Sequence, residues 1–183
     1  GDHWLWHSPE GHWDFSGSSN PCHPLWQGIR CECDTGGASE FCTVTEITLG
    51  TYNLHGTLPS EMVLLSNLTQ LSVPSNRLYG TLPDLSPINQ LAYLDISSNV
   101  NIRGLFPVYM CEMKTLQFLK FKINAFNGSL PTCIGRMSGL TYLNVAQNFF
   151  EGTIPSEVGL ALDLLYFNAG FNYLVNGTVP SSY

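Results

Sequence analysis

The sequence has little charge, and what it has is mostly acidic. Charged residues make up 11% of the 183 residues, and the formal net charge is −7 with seven Lys and Arg in total. A nucleic-acid ligand needs a basic stripe to neutralise its phosphates, yet only Lys114, Lys120 and Lys122 lie close together. The composition therefore excludes nucleic acid as a partner.

Long apolar runs and catalytic signatures are missing as well. No stretch approaches the roughly 18–20 apolar residues that cross a bilayer, so no membrane span is expected within this segment. No H-E-x-x-H, G-x-S-x-G or phosphate-binding glycine loop occurs, and the spacing brings no nucleophile, base and orienting group together. We expect no enzyme activity and no cofactor.

Cysteine is present in an even number but unevenly placed. Four cysteines crowd the N-terminal segment and two lie far from them, at Cys22, Cys31, Cys33 and Cys42, and at Cys111 and Cys133. An even count in a chain of low charge indicates disulfides and an oxidising compartment. Zinc is the competing interpretation, but a C-x8-C-x-C-x8-C spacing lacks the close C-x2–4-C pairs that zinc sites use.

Three N-x-S/T tripeptides support a secretory route and an extracellular or cell-surface location. They begin at Asn67, Asn127 and Asn176, which are the candidate glycosylation sites. The chain starts without Met and ends at Tyr183 inside a repeated pattern, so we expect a piece of a longer secreted protein.

A 24-residue unit fills most of the chain. Its marker is a Gly-x-Leu/Ile/Phe/Val-Pro turn, whose glycine recurs at Gly56, Gly80, Gly104, Gly128, Gly152 and Gly177. A strict period of this length indicates a solenoid, in which each unit buries its apolar face against its neighbours. A ribbon of stacked coils has no deep central pocket by default, which favours binding over catalysis.

Each unit carries the pattern of one short strand, and in five of the six units a buried amide follows it, where the first unit has Tyr52. Apolar residues at the first, fourth and sixth places predict a strand, and stacking sets equivalent strands about 4.8 Å apart in a parallel sheet. The predicted core side chains are Leu71, Val73, Leu94, Ile96, Leu119, Phe121, Leu143 and Val145. The ninth place predicts a structural ladder of Asn76, Asn99, Asn124, Asn148 and Asn172, whose amides satisfy backbone groups where the strands end.

The units L-x-x-L-x-L-x-x-N-x-L-x-G-x-L/I-P resemble those of plant-type leucine-rich-repeat proteins. The segment Asn20-Pro21-Cys22, followed by residues 26–31 (WQGIRC), resembles the N-terminal cysteine cap of plant leucine-rich-repeat receptors. We expect a disulfide cap over residues 1–43 and six repeats over residues 44–183, the last one incomplete. An added Cys33/Cys42 pair and a His/Trp-rich start depart from that family pattern.

The resemblance implies an α/β solenoid. It would be a right-handed superhelix with a parallel β-sheet on the concave face and short strands and 3₁₀ turns on the convex face. It also implies a Cys22–Cys31 disulfide. Cys111 and Cys133 occupy nearly the same place on successive coils, so of the 15 possible pairings we favour Cys22–Cys31, Cys33–Cys42 and Cys111–Cys133.

The candidate ligand-binding residues project from the sheet beside the core leucines. The third place of the units holds four successive aromatics, Tyr93, Phe118, Tyr142 and Tyr166, and nearby charges are Asp95, Lys120 and Lys122. Rigid aromatics with a polar tip anchor protein partners and stack on sugars, although such residues also pack simply along a stack. Asp95 and Lys120 fall on neighbouring strands, where the favoured interpretation is an ordinary solvated pair.

The N-terminal histidines suggest a second kind of site. His3, His7 and His12 lie among Trp4, Trp6 and Trp13, and with nearby carboxylates they have a spacing that can hold a metal. An aromatic lid over the first coil is the favoured alternative, because solenoids need their apolar ends covered. No metal is therefore expected.

These patterns predict a secreted or cell-surface recognition domain that binds a protein or peptide, or a glycan, through its concave face. One alternative is an inhibitor of a cell-wall-degrading enzyme, since plant-type inhibitors of that class resemble this chain in cap and repeats. Another is a structural subunit of an extracellular matrix, filament or larger complex. The open C-terminal coil would then support self-association.

Overall fold

The computed structural model describes residue 22 and residues 27–34 and 41–174. Two sheets and four 3₁₀ helices form the described part. The first sheet has seven strands, β1 (Ile29–Asp34), β2 (Phe41–Thr48), β4 (Gln70–Ser72), β6 (Tyr93–Asp95), β8 (Phe118–Lys120), β10 (Tyr142–Asn144) and β12 (Tyr166–Asn168). The second has six, β3 (His55–Gly56), β5 (Arg77–Gly80), β7 (Asn101–Leu105), β9 (Ala125–Ser129), β11 (Phe149–Gly152) and β13 (Tyr173–Leu174).

Each coil runs from a strand of the first sheet to a strand of the second and then through the back of the solenoid. All the repeat strands pair in parallel with the equivalent strand of the next coil, as a solenoid requires. The back carries η1 (Ser60–Leu64), η2 (Val108–Glu112), η3 (Thr132–Arg136) and η4 (Ser156–Leu160). The leucine-rich-repeat fold expected from the sequence is confirmed, and its helical turns are all 3₁₀ in the described residues.

The second coil has no 3₁₀ helix, and its sequence explains why. Pro87 has no N–H to continue such a turn, and the Ser86 N–H bonds to the Asp84 carboxylate at 2.9 Å. In the other coils the N–H of the corresponding residue bonds to the turn proline, as Met62 does to the Pro59 carbonyl at 3.2 Å. The second coil is also one residue shorter than the first. Glu46 of β2 pairs with Gln70 of β4, 24 residues later, whereas Gln70 pairs with Tyr93 of β6, 23 residues later.

The core lies between the two sheets and the back of the coils. The eight core side chains predicted from the repeat are completely buried. Phenylalanines add a stacked row, in which the Phe121 and Phe126 rings lie 4.7 Å apart and the Phe126 and Phe150 rings 6.2 Å apart. On the back, burial raises the pKa of the Tyr109 hydroxyl, which donates a 2.6 Å hydrogen bond to the Pro83 carbonyl.

The five ladder asparagines join each coil to the one before it. Asn99, for example, donates from Nδ2 to the carbonyl of Ile96 at 2.9 Å and to that of Val73, one coil earlier, at 3.0 Å. Its Oδ1 accepts the Leu78 N–H at 3.1 Å. Asn76, Asn124, Asn148 and Asn172 likewise bond carbonyls of two coils. The side chains therefore replace ladder bonds that the turning backbone loses.

The described part of the expected cap is an antiparallel pair of strands that continues into the repeats. β1 pairs antiparallel with β2, and β2 pairs in parallel with β4, so one strand crosses from residue 43 to residue 44. Gly28, at φ +80°, accepts a 2.7 Å hydrogen bond from the Thr48 N–H through its carbonyl oxygen. A Cβ there would run into the Thr48 carbonyl, so only glycine fits this approach. Disulfides join Cys22 to Cys31 and Cys33 to Cys42.

Candidate ligand-binding face

The parallel register sets the third-place residues in one row across the first sheet. Tyr93 pairs with Phe118, Phe118 with Tyr142, and Tyr142 with Tyr166. Glu46 and Gln70 precede them on β2 and β4. Because the side chains of one row point to the same face, the four aromatics form a continuous strip, which we call the aromatic strip.

The rings of the aromatic strip contact one another along its length. Centroid distances are 5.6 Å between Tyr93 and Phe118, 6.2 Å between Phe118 and Tyr142, and 4.2 Å between Tyr142 and Tyr166. The last two rings are stacked within 5° of parallel. Phe118 is 36% exposed and Tyr166 is 40% exposed, so the strip both packs on itself and presents apolar surface to solvent.

Lys120 is fixed in the middle of the aromatic strip. Its ammonium donates a 2.7 Å hydrogen bond to the Tyr93 hydroxyl and lies 4.0 Å from the Asp95 carboxylate. It also lies 4.8 Å from the centre of the Tyr93 ring and 5.3 Å from that of Tyr142. Because the faces of aromatic rings attract cations, the two rings hold the Lys120 ammonium together with the Tyr93 hydroxyl and the Asp95 carboxylate.

Asp95 and Lys120 pair as their neighbouring strands allow, but the pair is less solvated than an ordinary surface pair. Asp95 is only 9% exposed, and the Tyr93 hydroxyl lies 3.5 Å from its carboxylate. Burial of the Lys120 ammonium works to lower its pKa, but the hydrogen bond to Tyr93 and the charge of Asp95 outweigh this. The pKa of Lys120 is therefore raised above its ordinary 10.5.

The fifth-place residues have a second, structural role that the sequence pattern does not reveal. Asp95, Asn144 and Asn168 each accept the backbone N–H two residues further on, from Ser97, Ala146 and Gly170 at 3.0–3.1 Å. Such a bond ends the strand in a tight turn and uses one side-chain oxygen. Lys120 occupies this row but has no side-chain oxygen to accept such a backbone N–H. Its ammonium instead contacts the aromatic strip.

Lys122 lies outside this cluster. It follows the end of β8 and is exposed, and it forms no salt bridge among the residues that the structure describes. Its backbone carbonyl accepts the Ser98 N–H at 2.8 Å, which belongs to the turn between coils. The strip and its one ammonium therefore form the candidate site, with Lys122 at its margin.

The remaining sequence-derived sites fall on other surfaces. Asn67 lies half-buried in a turn and Asn127 is exposed on β9, and both stay candidate glycosylation sites. Asn176, the N-terminal His/Trp cluster and residues 175–183 of the sixth repeat lie outside the described residues. Cys111 and Cys133 are joined by a disulfide between η2 and η3.

Neither a membrane-crossing helix nor a metal cluster is found in the described part. None of its helices has the length and apolar character to span a bilayer. Within the same ranges, no three His, Cys, Asp or Glu side chains stand together as metal ligands. The exposed apolar residues gather partly in the last described coil, where Leu162, Leu165 and Phe171 are 86–89% exposed.

The chain is similar in sequence and in fold to parts of plant receptor proteins. No family model matches the chain. A probable leucine-rich-repeat receptor-like serine/threonine-protein kinase of Arabidopsis thaliana is 32% identical over 107 residues, which is 58% of this chain. That stretch is 11% of the kinase, so the chain spans about a tenth of the length of this curated relative.

Two solved ectodomains superpose on the chain. The leucine-rich-repeat ectodomain of the receptor kinase SOBIR1 from Arabidopsis thaliana has a TM-score of 0.74 and 28% identity, covering 86% of this chain and 85% of its own. The Arabidopsis receptor kinase HAESA, solved with the peptide hormone IDA and the co-receptor SERK1, has a TM-score of 0.78 and 28% identity. That match covers 91% of this chain and 27% of HAESA. With its repeat register, the chain is a leucine-rich-repeat solenoid whose homologues and structural neighbours are plant receptor ectodomains, and its paired N-terminal cysteines fit a cysteine cap.

Proposed function

We propose that this chain is an extracellular or cell-surface recognition domain that binds a peptide or protein through the aromatic strip. The observation that carries the proposal is the unbroken contact of four aromatic rings on a rigid parallel sheet, with a fixed ammonium held over two of them. The strip is suited to holding a ligand and has no groups arranged for a reaction.

Pre-organisation makes such a strip an efficient binding surface. Trp, Tyr and Arg dominate binding energy at interfaces. Rigid aromatic side chains such as Tyr lose little conformational entropy when they bury area. The rings here are already ordered by one another, and Lys120 is already oriented by Tyr93 and Asp95. A ligand therefore meets an array that needs little rearrangement.

The ligand chemistry follows from the same residues. An apolar or aromatic ligand side chain would cover Phe118 and Tyr166, the two most exposed rings of the aromatic strip. A ligand carboxylate would meet the Lys120 ammonium between the rings of Tyr93 and Tyr142. The comparison with HAESA, solved with the peptide hormone IDA, supports a peptide as the ligand class.

The experiment starts from peptides selected on this protein from a randomised displayed library, with binding measured by fluorescence anisotropy. Phe118→Ala and Tyr142→Ala should each weaken binding by about tenfold, as loss of an interface anchor does. Both side chains lie on the surface of the sheet, so the melting temperature should change little. Phe149→Ala, which removes an exposed aromatic from the second sheet, is the matched control and should leave affinity unchanged. Unchanged affinity in both strip variants would defeat the proposal.

A further inference from the structure

A groove lies on the outer face of the second sheet, away from the aromatic strip. Its more polar half is a cavity of about 770 Å³. The side chains that matter here are His55, Arg77, Tyr79, Asn101 and Arg103. All of them are exposed except Tyr79, which is half-buried.

The short strands bring these side chains together. His55 of β3 pairs with Arg77 of β5, and Tyr79 of β5 pairs with Asn101 of β7. Arg103 is two residues further along β7 and so points to the same face as Asn101. The His55 and Tyr79 rings meet edge to face, with centroids 5.3 Å apart.

Among the residues that the structure describes, the two arginines of this groove have no carboxylate partner. The salt bridges of the described residues are Arg30–Glu46 and Lys120–Asp95, so neither Arg77 nor Arg103 has a carboxylate partner there. Two of the seven Lys and Arg of an acidic chain thus face one groove. Guanidinium groups bind carboxylates with two parallel hydrogen bonds, which makes the groove selective for anions.

An apolar half adjoins the polar one, and Arg103 lines both. This second cavity, of about 500 Å³, is lined by Leu105, Phe106, Val108 and Tyr109 among others. Leu105 is 71% exposed and Val108, the first residue of η2, is 62% exposed. Covering apolar side chains that are this exposed is favourable, by about 25 cal/mol for each Å² removed from water.

We propose that this groove, formed by β5, β7 and η2, binds an acidic peptide segment. Its carboxylates pair with Arg77 and Arg103, and an apolar side chain enters the cavity beside Leu105. Charge complementarity requires an acidic ligand, and the apolar half favours a peptide over an acidic polysaccharide. A uronic-acid chain has no apolar side chain to cover Leu105 and Val108.

The test is a selection from a randomised displayed peptide library on the protein, with counter-selection on the Arg77→Gln/Arg103→Gln variant. Peptides that bind the protein and pass the counter-selection should combine Asp or Glu with an apolar residue. By anisotropy, the double variant should bind them about tenfold more weakly. Raising NaCl from about 50 to about 200 mM should also weaken binding, since exposed charges are screened over that range.

Two variants serve as controls for position and charge. Arg136→Gln removes an exposed charge from η3 and should not change affinity. Phe118→Ala should not change it either, which separates this groove from the aromatic strip. Arg103→Lys keeps the charge without the planar fork, so it should retain part of the affinity that Arg103→Gln loses.

The contrary outcomes are equally definite. The proposal is wrong if no peptide discriminates between the protein and its double variant while both give the same thermal unfolding curve. It is also wrong if polygalacturonate binds in an arginine-dependent way and no acidic peptide does. That second result would assign the groove to acidic polysaccharides.

Discussion

At the scale of the residue, Lys120 is the charged side chain of the proposed ligand-binding site. Its ammonium is held by the Tyr93 hydroxyl, by the Asp95 carboxylate and by two ring faces. The same contacts that order the side chain also raise its pKa. The Lys120 ammonium, paired with Asp95, therefore stays protonated at every physiological pH.

This raised pKa predicts a pH dependence of defined sign. A lysine whose pKa is higher in the folded state contributes stability that is fully present below its unfolded value of 10.5. That contribution is lost as pH rises through the folded-state value. The difference in unfolding free energy between the protein and Lys120→Gln should therefore be constant at neutral pH and shrink in strongly alkaline solution.

The measurement is urea unfolding across that pH range, together with an NMR titration of the Lys120 ammonium. Asp95→Asn removes the attracting charge and should lower the titration midpoint. Tyr93→Phe removes the hydrogen-bond acceptor and should lower it too. A midpoint at or below 10.5 in the unsubstituted protein would contradict the assigned contacts.

The sequence predicts part of this site and not the rest. The period places Tyr93, Phe118, Tyr142 and Tyr166 in one row, and the register of the strands then follows. The position of the Lys120 ammonium between two rings depends on side-chain rotamers, which a period does not specify. The interpretation of Asp95 and Lys120 as a solvated pair missed how far neighbouring rings and turns bury Asp95.

At the scale of the element, the asparagine ladder holds each turn in place. Sequence spacing alone identifies its members, because a polar residue at a fixed place after buried apolar ones must satisfy backbone groups. The second sheet is less accessible to such reasoning. Its strands are short, and their outward faces depend on how each coil turns after its asparagine. The groove with Arg77 and Arg103 was therefore invisible in the sequence.

The ladder gives a prediction that depends on position. Asn99→Ala should cost about 3 kcal/mol, since it leaves two carbonyls and the Leu78 N–H without partners in a fully buried place. Asn172→Ala removes equivalent bonds where water can enter, so it should cost about 1 kcal/mol. Urea denaturation measures both, with the exposed Asn89→Ala as control. Equal costs at the two positions would argue against the buried ladder.

At the scale of the whole molecule, the solenoid separates two surfaces on one rigid frame. The first sheet presents the aromatic strip, and the second sheet presents the basic groove. Each coil contributes only a few side chains to either surface, so each surface is the sum of several coils. Stability comes from the core and the ladder between them, which leaves both faces free to carry recognition.

The most direct test of the central claim uses a peptide that is selected from the library on the Arg77→Gln/Arg103→Gln variant, which lacks the charges of the groove, and that carries a photoreactive crosslinker. Mass spectrometry then identifies the residues of the protein that it labels. We predict crosslinks on β6, β8, β10 and β12, within the aromatic strip, and loss of them in Phe118→Ala/Tyr142→Ala. Crosslinks confined to η1–η4 or to the second sheet, and unchanged in that variant, would contradict the assignment of the strip as the ligand-binding surface.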